Sequence, residues 1–149
     1  MKKIKEVSKI AGVSRRTLQY YDDAGILSTE RTENNHRVYH SCELEKIWQI
    51  LIYKEMAFEL SEIKKLLQLS EEQKKKYLIR QREKIQRQMI NLKVQMRVIA
   101  FVQMNGFPPK PDKNCGKTYV KSMEELRERM KKEVLKEEKD IEQKEYFLP

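Results

Sequence analysis

Apolar residues recur at helical spacing along most of the chain, and the places where that spacing breaks predict six helices and one hairpin. Val7, Ile10 and Ala11 precede Gly12, the pattern of a short helix closed by a tight turn. Ser14 then caps a second helix through Ala24, with Leu18 and Tyr21 inward and Gly25 closing it. Helix, glycine-containing turn, helix is the arrangement of a helix-turn-helix. The polar stretch Ile26 to His40 carries Asn34-Asn35 between two short arms; asparagine tolerates positive φ, so a hairpin is predicted. Ser41 is expected to cap a third helix, in which Leu44, Ile47, Trp48, Leu51 and Met56 recur, and Ile63, Leu66 and Leu67 make a fourth.

The pattern then changes to a single long helix. Ser70 and Gln73 form a capping box opening residues 71–104. Leu78, Ile85, Leu92 and Ile99 repeat every seven residues there, Met89 and Met96 fill the alternate seam positions, and Arg82 and Gln103 are the polar exceptions. Such a helix spans ~50 Å at 1.5 Å per residue, so its seam needs a partner, and self-association is the simplest source. Asn105 to Pro111 holds Gly106, Pro108, Pro109 and Pro111, which stop it. Beyond the breakers, Ser122 and Glu125 are expected to open a short last helix striped by Met123, Leu126, Met130 and Val134. The resulting organisation is 1–69, 70–105 and 106–149: a mainly α chain with a small N-terminal domain, a long helix and a helical extension.

Composition narrows the function classes. A mean hydropathy of −0.82 excludes a membrane span, and a cytoplasmic location is expected. The 32 Lys and Arg against 23 Asp and Glu favour a polyanionic partner. Residues 1–69 carry a net +2 and residues 70–149 a net +7, so the excess lies in the second half. Two cysteines, Cys42 and Cys115, build neither a disulfide framework nor a zinc site, and both read as plain small residues. No nucleophile stands at a fixed spacing from a base and no glycine loop cradles phosphate, so neither catalysis nor a metal or other cofactor is expected.

The candidate chemistry lies on the second helix. Arg15, Arg16, Gln19 and Tyr20 share its exposed face, where arginine can fork onto guanine or phosphate, glutamine can pair with adenine and a tyrosine hydroxyl can anchor phosphate. The competing reading, a solvated charged face with both tyrosines in the core, is outweighed by the turn before the helix and the hairpin after it.

Ile4 to Ser14, Thr17-Leu18-Gln19-Tyr20-Tyr21-Asp22, Gly25-Ile26-Leu27, Arg37-Val38-Tyr39 and Met56 to Ile63 together resemble the N-terminal domain of MerR-family transcription regulators. The resemblance covers residues 4–69 in order, and the long helix fits the family's antiparallel dimerisation coiled coil. It implies a winged helix-turn-helix homodimer on a two-fold-symmetric operator in double-stranded DNA, which distorts promoter DNA for RNA polymerase. By position it assigns DNA contact to Arg15, Arg16, Gln19 and Tyr20 on the recognition helix, to His36, Arg37 and Tyr39 in the wing, and to Lys54 near a second wing. Dimerisation falls to Leu78, Ile85, Met89, Leu92, Met96 and Ile99. The chain departs from the family's usual arginine at Gln19, glycine and aromatic at Asn35 and His36, glycine at Ala57, and serine or threonine at Glu59.

A small apolar or cationic effector is expected at the junction of Phe101, Phe107, Cys115 and Tyr119, with a plain stabilising brace as the competing reading. A coiled-coil interaction protein whose N-terminal domain has lost operator binding is the alternative for the whole chain.

Overall fold

The computed structural model describes residues 1–145. Their elements run β1 (Lys2–Lys3), α1 (Ile4–Ala11), α2 (Arg15–Asp23), β2 (Glu30–Arg31), β3 (Arg37–Tyr39), α3 (Ser41–Glu55), α4 (Leu60–Leu66), α5 (Glu71–Asn105) and α6 (Tyr119–Glu145). The three strands form one antiparallel sheet in the order β1-β3-β2, with Lys3 and Glu30 both opposite Val38 and Arg31 opposite Arg37. β1 is too short to show as a pattern of alternation and was not expected from sequence.

Caps set most of the helix ends. Gly12, at φ 69°, closes α1 with its N–H on the Ser8 carbonyl, and the Ser8 hydroxyl reaches on to the Val13 carbonyl at 2.7 Å. Ser14 accepts the Thr17 N–H at 3.0 Å and opens α2. The third helix begins one residue earlier than expected: His40, not Ser41, is its cap, because the Glu43 carboxylate turns back to accept the His40 N–H at 2.8 Å. Ser70 and Gln73 do form a reciprocal box at the head of α5.

The first compact unit is Met1–Gln81. Val7, Leu18, Tyr21, Leu27, Tyr39, Ile47, Ile50, Ile63 and Leu66 are its almost fully buried centre. Two expected core residues stand outside it, Ile10 and Trp48, both exposed, while Ile50 takes an inward place. The unit runs past Ser70 because Tyr77 of α5 packs on this core and the Gln81 amide donates to the Met56 carbonyl at 2.8 Å.

The second unit starts at Arg82 and is a helical hairpin. α6 returns along α5, with Arg97 paired to Glu133 and Glu137 and Lys93 to Glu138. Val94, Met130 and Val134 are buried between the two helices, flanked by Ile90, Val98, Phe101 and Leu126. The last helix is longer than the predicted one. Thr118 accepts the Lys121 N–H and opens it a turn before Ser122, and Glu125 pairs with Lys117 instead of capping. Among the described residues no helix is long and apolar enough to cross a membrane.

Candidate nucleic acid interface

Leu18 and Tyr21 are buried at i and i+3 of α2, which fixes the roll of that helix. Arg15, Arg16 and Gln19 are therefore exposed, and Tyr20 is 55% exposed beside them. The four side chains share one solvent-facing side within two turns, the size of patch a helix presents to a major groove. Tyr20 and Tyr21 are adjacent in sequence yet take opposite places, one at the surface and one in the core.

The hairpin of β2 and β3 forms the wing. Asn35 occupies the left-handed region at φ 61°, its N–H on the Thr32 carbonyl, and the Thr32 N–H reaches the His36 carbonyl at 2.9 Å. His36 is exposed at this tip. Arg37 is not: its side chain is 16% exposed, with Nε donating to Asp22 at 2.7 Å and Nη2 to Asp23 at 2.9 Å. Tyr39 is fully buried, so the expected direct contact of Tyr39 with DNA is corrected by the structure. The reason is the two-residue period of a strand, which turns Arg37 and Tyr39 to the same face, the one packed on the helices. The Tyr39 hydroxyl has no hydrogen-bond partner among the described residues, and burial raises its pKa above the ordinary tyrosine value.

Lys54 is exposed near the end of α3, its Nζ 3.5 Å from the Tyr21 hydroxyl. The following turn holds Ala57 at φ 64°, a conformation in which an alanine Cβ is strained. His40 faces Glu30 at 3.2 Å. The exposed Cys42 thiol donates to the Glu43 carboxylate, which raises its pKa and disfavours a thiolate.

The expected effector residues are not gathered into one cavity. Phe107 is 88% exposed, Tyr119 and Cys115 are exposed, and Phe101 lies under the Arg129 guanidinium, 5.5 Å from its ring centre. A groove of about 600 Å³ lies instead between α5 and α6, floored by Val94, Val98, Met123 and Leu126.

The pattern of the family described as MerR family regulatory protein matches residues 3–39. The mercuric resistance operon regulatory protein of Bacillus cereus is 32% identical over 98 residues, which cover 61% of this chain and 74% of that protein. This chain belongs to the MerR family. The HTH-type transcriptional activator mta of Bacillus subtilis is 43% identical over 65 residues, 43% of this chain but 25% of mta. The crystal structure of MtaN, the N-terminus of the Bacillus subtilis multidrug transporter activator, aligns at a TM-score of 0.66 and 31% identity, covering 70% of this chain and all of that one. A cryo-EM structure of an EcmrR–DNA complex in EcmrR-RPo aligns at a TM-score of 0.56 and 28% identity, covering 69% of this chain and 39% of that one. The chain thus spans only a quarter of mta and under half of EcmrR.

Sequence reading of this MerR chain missed Arg31 and the Asp22 carboxylate beneath the wing. Arg31 is exposed, with Nη1 3.1 Å from Asn35 and Nη2 3.8 Å from Asp22. A signal existed in the alternation of β3, since an arginine two residues from a large aromatic shares its face.

Proposed function

We propose that the chain is a DNA-binding transcription regulator rather than an enzyme, acting as a homodimer on a two-fold-symmetric operator. The observation that carries this reading is the exposed set Arg15, Arg16, Gln19 and Tyr20 on a helix whose roll is fixed by buried Leu18 and Tyr21. Arg15 and Arg16 supply phosphate or guanine contacts, Gln19 reads a base edge, and Tyr20 anchors phosphate. His36 at the wing tip and Lys54 beside the Ala57 turn extend the footprint to the flanking backbone. The DNA complex of the EcmrR relative supports the same reading.

Residues 70–105 supply the dimer. Met89, Leu92, Met96 and Ile99 are all more than half exposed, while the opposite face of α5 is covered by α6. An apolar row this long on a helix that already has one partner is best satisfied by a second copy of α5. Leu78 and Ile85 continue it toward the N-terminus. Family membership supports promoter distortion for RNA polymerase, and the groove over Val94 and Leu126 is better shaped for a small apolar effector than the exposed Phe107 and Tyr119.

A mobility-shift titration at several salt concentrations, using DNA enriched by the full chain from a randomised duplex pool, tests this reading. A symmetric enriched site and steep salt dependence are expected. Failure to enrich any sequence, with a dimer intact by sedimentation, would favour the coiled-coil interaction protein.

A further inference from the structure

The carboxylate of Asp22 gathers the wing onto the end of α2. Thr29 donates to its Oδ1 through the hydroxyl at 2.7 Å and the backbone N–H at 3.3 Å. Arg37 Nε donates to Oδ2 at 2.7 Å, and Arg31 Nη2 stands 3.8 Å from the same oxygen. Burial alone would raise the Asp22 pKa, but the hydrogen bonds from Arg37 and Thr29 outweigh it and hold the group below its ordinary value. Register adds a second observation. Arg31 and Arg37 are directly opposed across β2 and β3, and like charges in that position repel unless an anion lies between them.

We infer that Asp22 and Arg37 are positioning residues that clamp the first wing to the recognition helix, and that Arg31 is the wing cation that meets DNA phosphate. The inference rests on the DNA-binding reading above. The Arg37 fork is engaged by two carboxylates and largely covered; moving it to a phosphate would take the hydrogen-bonded cation from Asp22, whose side chain is 14% exposed, and leave it Thr29 and the more distant Arg31. Arg31 is 42% exposed, beyond hydrogen-bond distance of Asp22 and held by a single exposed hydrogen bond to Asn35, so it turns outward at a smaller cost than Arg37.

Full-length wild type and the variants Asp22→Ala, Arg37→Ala, Arg31→Ala and Asp22→Ala/Arg37→Ala are titrated, across a salt series, with the duplex that wild type enriches. Asp22→Ala and Arg37→Ala are each expected to weaken binding at least about tenfold at an unchanged log–log salt slope, and the double variant to do no worse than either single. Arg31→Ala is expected to flatten the slope by about 0.9, one phosphate contact. Backbone amides of residues 29–38 should exchange faster in Asp22→Ala while those of α1 do not, which separates a loosened wing from an unfolded domain. Tighter binding by Asp22→Ala, or an Arg37→Ala slope flattened by about 0.9, would make Arg37 the phosphate cation and overturn the clamp. Wild type that enriches no duplex would remove the DNA-binding reading itself, an outcome distinct from either.

Discussion

The two compact units solve the problem of burying apolar surface differently. In Met1–Gln81, eleven core residues from the helices α1 to α4, strand β3 and the turns between them are buried against one another, and even Tyr39 carries into that interior a hydroxyl with no partner among the described residues. Among the described residues from Arg82 onward, only Val94, Met130 and Val134 are buried, while Met89, Leu92, Met96 and Ile99 remain at the surface. A small domain completes its core with several short elements meeting at different angles; two long helices share one line of contact and leave their other faces bare. The difference teaches that the first unit satisfies its own apolar surface, whereas the second leaves an apolar row exposed, the face on which the proposed dimer would close.

The largest expected effect sharpens that contrast at the second unit. Glutamate at both Leu92 and Met96 should weaken the proposed dimer by ~3 kcal/mol or more, about 100-fold, since each buried apolar side chain is worth ~1.5–3 kcal/mol. Sedimentation at several concentrations reads it, and an unchanged dimer would remove this seam. The nine basic and three acidic residues of 71–104 should make wild-type association stronger as salt rises.

Comparable in size at the first unit, Leu18→Ala should cost ~2–5 kcal/mol, because the cavity lies in a fully closed core. The single tryptophan, Trp48, reports that unit directly in denaturant titrations. Val134→Ala, in the thin hairpin interface, should leave the Trp48 transition in place; a matching shift would show that the two units unfold together.

A smaller effect concerns acid. The folded pKa of Asp22 lies below its unfolded value, so its contribution is full above the unfolded value near 3.8 and is lost as pH falls through the folded one. Asp22→Asn should lower stability at neutral pH by ~1–3 kcal/mol, the scale of a hydrogen bond to a charged group, and the deficit should shrink in acid. A deficit independent of pH down to the acid transition would contradict this.

The smallest is a gain. Ala57→Gly should stabilise the first unit by ~0.5–1 kcal/mol, relief of the left-handed alanine exceeding the backbone entropy that glycine adds. Loss of stability by the Trp48 signal would show that the turn is not strained.

Much of the fold was legible because its determinants are local. Gly12, Ser14, the Ser70–Gln73 box and the Gly106 to Pro111 breakers act within a turn of where they stand, and Leu18 and Tyr21 mark an inward face by spacing alone. Local rules also have rivals: Thr118 competed with Ser122 for the start of α6, and His40 with Ser41 for that of α3. The recognition-helix face was legible for the same reason, since burial of two side chains fixes the other four. The wing was not. The alternation of β3 puts Arg37 on the face of Tyr39, but the carboxylate it meets there stands fifteen positions away in the chain, and no periodicity encodes that pairing.

By itself the sequence determined the helix-turn-helix, the asparagine turn, the long helix and its apolar row, because capping, periodicity and backbone breakers are properties of a few consecutive residues. The tertiary structure decided which arginine of the wing is covered by carboxylates and which stays at the surface, that Tyr39 belongs to the core, and which face of α5 is covered by α6. Those outcomes depend on ion pairs, strand register and packing between segments distant in the chain, whose free energies exist only after the chain has folded back on itself.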